Sequence, residues 1–231
     1  DIESARIEVS NMAGLISIVG TESETVSNVS LEGLCFTMTE RTFMQSYEPL
    51  LRSDWTIYRG GAVYMENTSL CGLKDCDMYN LGGNAIFISG RNDKSFVKDT
   101  HIHDIGASGI CVVGRPSAVR SPSFNYYEYV DINELDFTPG PVTDEYPKDC
   151  QLEGNLIHHI GLYEKQVAGI ELSMSMGITV SNNTISHTPR AALNIGDGTW
   201  GGHTIVHNDM FDTVRETGDH GTINAWGRDR F

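Results

Sequence analysis

Basic residues are scarce. Sixteen Lys and Arg stand against 31 Asp and Glu in 231 residues, a formal net charge of -15. A groove that tracks phosphate needs cations, so this balance argues against nucleic acid and anionic membranes as partners. Cysteine is also sparse. Cys35, Cys71, Cys76, Cys111 and Cys150 are odd in number, irregularly spaced and without a CxxC pair. That excludes a zinc ribbon, a thioredoxin-type site and a dense disulfide scaffold, and leaves buried free thiols. No apolar run approaches the roughly 20 residues of a membrane helix. Glycine, by contrast, is plentiful at 24 residues and follows no Gly-X-Y period, which excludes collagen. A hydrophobic fraction of 39% is too high for a disordered chain. The length suits one or two ordinary domains with a substantial core.

What the sequence does contain is a repeat. A short alternating segment recurs at 29–36 (VSLEGLCF), 73–78 (LKDCDM), 97–102 (VKDTHI), 152–157 (LEGNLI), 180–185 (VSNNTI) and 205–210 (IVHNDM). Each copy leads through a turn to a second segment, at 62–65 (AVYM), 85–88 (AIFI), 109–112 (GICV), 169–172 (GIEL), 192–195 (ALNI) and 222–225 (TINA). Val63, Ile86 and Ile110 are spaced by 23 and 24 residues, and Ile170 and Leu193 by 23. Leu193 to Ile223 is 30, allowing one small loop, whereas Ile110 to Ile170 is 60 because of a Pro-, Tyr- and acid-rich excess.

Period-two alternation over three to five residues predicts strands, and the intervening Gly and Asn supply sharp bends. A period near 23 with two or three strands per repeat predicts an all-β, right-handed parallel β-helix of about six coils. A leucine-rich repeat lacks its Leu-x-x-Leu-x-Leu frame here, and a β-sandwich is the alternative. One β-helix domain is expected over residues 1–231, with insertions at about 37–60 and 115–149. The chain begins at Asp1 without an initiator Met or signal peptide. It ends at Phe231 straight after a strand-like copy, without a cap for the open edge, so a longer natural protein is expected.

The alternation also separates two faces. If Ile86/Ile88, Ile110/Val112, Ile170/Leu172, Leu193/Ile195 and Ile223/Ala225 point inward, then Phe87, Cys111, Glu171, Asn194 and Asn224 form an outward file. Its polar last three members suit the floor of a sugar-binding groove; the plainer alternative is residues that are solvated or covered by loops. Three loops rich in Gly, carboxylates, His, Trp and Arg border this end: 196–203 (GDGTWGGH), 216–221 (ETGDHG) and 226–229 (WGRD). Trp faces stack on sugar rings, and carboxyls act as acid, base or nucleophile at a glycosidic bond.

Residues 189–203 (PRAALNIGDGTWGGH), 216–221, 226–229, 166–169 (QVAG) and Gly140-Pro141 resemble bacterial carbohydrate-active proteins of the right-handed parallel β-helix type. Glycoside hydrolase family 141 and its relatives, which act on α-fucosides or xylan, are the nearest group. The resemblance implies a secreted or periplasmic glycan-degrading enzyme using an Asp/Glu pair. Asp219 leads the catalytic candidates, ahead of Asp197, Glu171 and Glu216. Substrate-binding candidates are Trp200, His203, His220, Asn194, Asn224, Trp226, Arg228 and Asp229. For each carboxylate the plainer role is turn capping or ion pairing. Asp197 follows its strand and Asp219 precedes the next, an arrangement that favours carboxyls on opposite sides of the groove.

The rival enzyme is a polysaccharide lyase on the same fold, which would need Arg or Lys as base and often Ca²⁺; no other cofactor is implied. The acidity weighs against its polyanionic substrates. The non-enzymatic rival is a glycan-binding or structural β-helix. Tyr79, His103, His158, Ser186 and Phe211 fall in one column after the first segment, and Asn80, Asp104, His159, His187 and Asp212 in the next. A structural ladder at the bends accounts for both, with a metal site across His103, Asp104, His158 and His159 as the alternative. The Asn-x-Ser/Thr triplets at Asn28, Asn67 and Asn182 read as coincidences of a turn-rich coil.

Overall fold

Short strands separated by one repeat pair in parallel throughout the coil. The computed structural model describes residues 4–45, 47–51, 55–125, 127–196 and 200–225. Among these, the first sheet stacks Ile16–Val19, Val63–Ser69, Ile86–Asp93, Ile110–Val113, Ile170–Ser173, Leu193–Ile195 and Ile223–Ala225. The second stacks Ser30–Glu32, Gly72–Lys74, Phe96–Lys98, Gln151–Glu153, Thr179–Ser181 and Thr204–Val206. The third stacks Cys35–Thr37, Asp77–Leu81, His101–Ile105, Leu156–His158, Thr184–Ser186 and Asp209–Phe211. This is a parallel β-helix. Its first sheet has a rung that the repeat did not reveal: Ile16–Val19, in register with Val63–Glu66.

The registers follow the sequence copies. Ile86 faces Val63 and Ile110, Ile110 faces Ile170, and Leu193 faces Ile170 and Ile223. Inward residues of all three sheets, among them Met65, Leu73, Met78, Ile88, Val97, Ile102, Val112, Leu152, Ile157, Leu172, Val180 and Ile185, form one buried core. Each such side chain contributes about 1.5–3 kcal/mol by leaving water. Cys71, Cys76 and Cys150 belong to this core and, like the outer-face Cys111, are buried free thiols, while Cys35 is exposed. Burial pushes the Cys150 thiol up to about 12.

The bends have their own ladders. Asn80, Asp104, His159, His187 and Asp212 all adopt the left-handed conformation, with φ between 50° and 52°. Short polar side chains and His tolerate that region better than branched ones, which is why this column is polar. Between the second and third sheets, Asn155 Nδ2 donates to Asn183 Oδ1 at 2.9 Å, and Asn183 Nδ2 donates to Asn208 Oδ1 at 2.9 Å. Asn183 is therefore an internal ladder residue, and the neighbouring Asn182 holds a left-handed turn. Close stacking also dictates glycine at Gly72, where a Cβ would lie 2.0 Å from the Phe96 carbonyl oxygen.

Two segments leave the coil. Residues 38–62 carry the antiparallel pair Glu48–Pro49 and Thr56–Ile57. Residues 114–146 contain only the 3-10 turns Pro116–Ala118 and Ile132–Glu134 among the described residues. Both fold back over the outer face of the first sheet. Leu50, Leu51, Trp55 and Ile57 from one, and Val119 and Phe124 from the other, pack with Phe87, Cys111, Val113, Ala168 and Met174 into a second core.

Candidate active site

The outward file of the first sheet is in register along its length: Tyr64, Phe87, Cys111, Glu171, Asn194, Asn224. The groove expected from sequence is not open there. Phe87, Cys111 and Glu171 are each 0% exposed, and the two insertions form a roof over Phe87 and Cys111. At Glu171 and Asn194 the covered alternative is the arrangement found, while Asn224 is half-buried.

Beneath the roof the file changes character from apolar to polar. Asn194 Nδ2 donates to Glu171 Oε1 at 3.0 Å and to Oε2 at 2.8 Å, and Asn224 Nδ2 donates to Asn194 Oδ1 at 2.6 Å. Burial raises the Glu171 pKa well above the usual carboxylate range, against the opposing Asn194 hydrogen bonds and the Arg190 charge. Arg190 is itself buried, its guanidinium 4.8 Å from the centre of the Trp55 ring. Glu164, half-buried beside the first insertion, also has a raised pKa through burial; Thr42 Oγ1 donates to its Oε1 at 3.2 Å. Burial, the largest cause, pushes the Cys111 thiol well above its usual range.

The remaining candidates divide between this face and others. Asp219 is 74% exposed, with Oδ1 2.9 Å from Nδ1 of His220, whose side chain is only 8% exposed. They precede Ile223–Ala225, the strand that carries Asn224. Trp200 packs at the edge of the roof, its ring 4.7 Å from that of Tyr146. Glu216 stands apart from the file: it pairs with Lys165 at 3.0 Å and lines a separate recess of about 280 Å³ with His159, His187 and Arg215. His203 Nδ1 accepts the Ile178 backbone N–H at 3.1 Å, which ties neighbouring rungs together. Asp197, Trp226, Arg228 and Asp229 lie outside the described residues.

Sequence reasoning missed a charged cluster at the other end of the same face. Arg115 Nε and Nη2 donate to Glu66 Oε1 at 3.0 and 2.6 Å, and Tyr64 Oη donates to Glu66 Oε2 at 2.7 Å. Arg59 Nη1 donates to Ser89 Oγ at 2.9 Å and to the Val113 carbonyl at 3.1 Å. Burial, followed by the bond to Glu66, raises the Tyr64 pKa. Beside the cluster lies a cleft of about 650 Å³ lined by Glu66, Arg91, Arg115, Thr143, Asp144 and Glu145, among others. Extending the alternation of 62–65 by one residue places Glu66 outward. Arg59 and Arg115 lie in the insertions and carry no periodic signal.

Residues 22–211 match the family model described as the right handed beta helix region. No curated protein matches the chain. Among solved structures it is similar to the A-module of the Azotobacter vinelandii mannuronan C-5 epimerase AlgE6. The TM-score is 0.56 at 14% identity, over 86% of this chain and 39% of that one. A structure named as a glycoside hydrolase superposes with a TM-score of 0.49 at 15% identity, over 96% of this chain and 52% of that one. This chain thus spans well under two thirds of either. At such identity the epimerase likeness is one of fold.

Proposed function

The chain belongs to the right-handed beta helix family, and on that premise we propose that it is a glycoside hydrolase whose chemistry lies on the outer face of the first sheet, towards its last rungs. The observation that carries this reading is the Glu171–Asn194–Asn224 file, which begins at a buried carboxyl with a raised pKa and runs to the rung beside Asp219 and His220. Glycosidic cleavage needs one carboxyl that delivers a proton to the leaving oxygen and a second that activates water or attacks carbon. Glu171 has the environment of the donor, since burial raises its pKa and so favours the protonated acid. Asp219, exposed at the rim, takes the second role. Asn194 and Asn224 supply amide groups for sugar hydroxyls, and Trp200 an aromatic surface.

Because Glu171 is buried, a sugar reaches it only when the chain covering it moves, so substrate binding and opening are coupled. On this reading the protein is bacterial and works outside the cytoplasm, secreted or periplasmic. Its substrates are neutral glycans, with α-fucosides and xylan first, as the resemblance to family 141 suggests. Among the described residues no helix is long and apolar enough to cross a membrane. The epimerase neighbour acts on a polyuronate by its name, but here both arginines of the charged cleft face carboxylates: Arg115 faces Glu66, and Arg91 lies 3.1 Å from Asp144. That leaves little positive charge for a polyanion.

Turnover on a panel of neutral and uronic-acid polysaccharides, with wild type, Glu171→Gln and Asp219→Asn, tests the reading. Release of reducing ends that both variants lose supports hydrolysis. Ultraviolet-absorbing unsaturated ends would make the protein a lyase, and a changed uronate configuration without scission an epimerase. Binding without turnover would make it a glycan-binding module.

A further inference from the structure

The sheet opposite in role to the proposed active face carries a histidine cluster. His101 and His103 lie two residues apart on the strand His101–Ile105, so they project from the same face. His103 faces His158 on the next rung and Tyr79 on the previous one. The insertion of residues 114–146 does not separate these strands, because it leaves from the first sheet and the third sheet stacks without interruption. One ligating atom from each of His101, His103 and His158 lies within 4.8 Å of the others.

The surrounding contacts sort the nitrogens. His103 Nδ1 lies 2.7 Å from Asp104 Oδ2, which holds a proton on Nδ1 and leaves a lone pair on Nε2, 3.4 Å from Asp77 Oδ1. His158 Nδ1 lies 2.7 Å from His159 Nδ1, and His101 Nδ1 lies 3.3 Å from Asp77 Oδ1. The Nε2 atoms of His101 and His158 then meet at 2.8 Å. Two neutral rings at that distance can share only one proton. Asp77 Oδ1 is a second unsettled atom. It is buried and accepts no hydrogen bond among the described residues, although it lies 3.3 Å from His101 and 3.4 Å from His103. A buried carboxylate oxygen without a donor calls for a positive charge beside it.

We propose that His101, His103 and His158 bind one transition-metal dication of the zinc class, with the Asp77 carboxylate beside them. Three imidazoles suit Zn²⁺, Co²⁺, Ni²⁺ or Cu²⁺ and not Ca²⁺ or Mg²⁺, which prefer oxygen. Tetrahedral Zn–N bonds of about 2.0–2.1 Å put ligand nitrogens roughly 3.3 Å apart, so the His101–His158 pair needs to open by about half an ångström. Asp104 and Asp77 act as the carboxylates that orient metal-bound imidazoles. The site would clamp two adjacent rungs on either side of the longest excursion from the coil, and it is independent of the proposed glycan chemistry.

The test is calorimetric titration of chelator-stripped protein with Zn²⁺, with Co²⁺ as the spectroscopic probe. Expected results are one saturable ion per chain, visible ligand-field absorption with Co²⁺, and a Tm that rises with zinc. His103→Ala and His158→Ala should each weaken the affinity at least tenfold, whereas His207→Asn, at an exposed bend of a later rung, should not. Should the variants fold poorly, imidazole ¹⁵N spectra of wild type decide the matter: zinc must shift the Nε2 resonances of these three rings. No saturable binding, equal affinity in the variants, or shifts confined to other histidines would overturn the proposal.

Discussion

Asn194 donates its side-chain amide to both carboxyl oxygens of Glu171, at 3.0 and 2.8 Å, and both side chains are buried. The pair is the hinge between the apolar and polar halves of the outer face. It also makes stability depend on pH in an unusual direction.

Burial raises the Glu171 pKa when the chain folds, whereas the unfolded carboxyl titrates near about 4.3. Between those two values the native state holds a proton that the unfolded state has lost, so Glu171 subtracts stability as pH rises through that window. Glu171→Gln removes the titration and keeps an amide oxygen for Asn194. Urea unfolding of both proteins should give similar free energies near pH 4 and an increasing advantage for the Gln variant towards neutral pH. A difference that stays constant with pH would contradict the assignment.

The roof depends on large side chains from a segment that does not belong to the coil. Trp55 is 2% exposed and lies beneath the Arg190 guanidinium. Trp55→Ala should cost about 3–5 kcal/mol in unfolding free energy, as expected for a deleted core aromatic. Limited proteolysis should then cut residues 38–62 faster, while the parallel-sheet circular dichroism is retained.

Asn183 satisfies four polar groups. Its Oδ1 accepts from the Asn155 backbone N–H and side-chain amide, and its Nδ2 donates to the Leu152 carbonyl and Asn208 Oδ1. Asn183→Ala strands buried donors and should lower stability by about 2–4 kcal/mol. Asn182→Gly, at the adjacent left-handed turn with φ 56°, should change it by less than about 0.5 kcal/mol. Thermal unfolding of the two variants side by side separates ladder from turn.

Rung contact can be probed at two glycines. Gly72→Ala would place a methyl 2.0 Å from the Phe96 carbonyl oxygen, forcing neighbouring rungs apart. A loss of about 2–3 kcal/mol is expected, the upper part of the overpacking range. Gly218 has nothing within 4 Å of its added Cβ, so Gly218→Ala should leave Tm essentially unchanged. Equal losses at both positions would refute the stacking argument.

Much of the architecture is legible locally. The near-23-residue period gives the rung spacing, and period-two alternation separates Ile86 and Ile88 from Phe87. The Asn, Asp and His that follow five of the six first segments mark a bend at positive φ, which Met38 adopts after the first copy. These features require no knowledge of distant residues, because a solenoid repeats one local solution and each rung meets only its neighbours. The first rung, Ile16–Val19, escaped detection because 47 residues, including the first insertion, separate it from its partner Val63.

Tertiary structure decided what the outer face is. Outward alternation is the same for a groove and for a covered layer; the returning insertions made it a layer, and no period encodes where an insertion lands. Glu171 has its raised pKa because the fold buries it completely, which its outward place in the alternation does not foretell. Glu66 and Arg115 likewise meet only in the fold, across 49 residues of sequence. The histidines were visible as columns, but the stacking that places His101, His103 and His158 within ligand distance needed rungs 57 residues apart to be adjacent. The chain's acidity is a property of its composition, but the fold decides where cations go: Arg59, Arg91 and Arg115 face carboxylates, and Arg190 lies over the Trp55 ring.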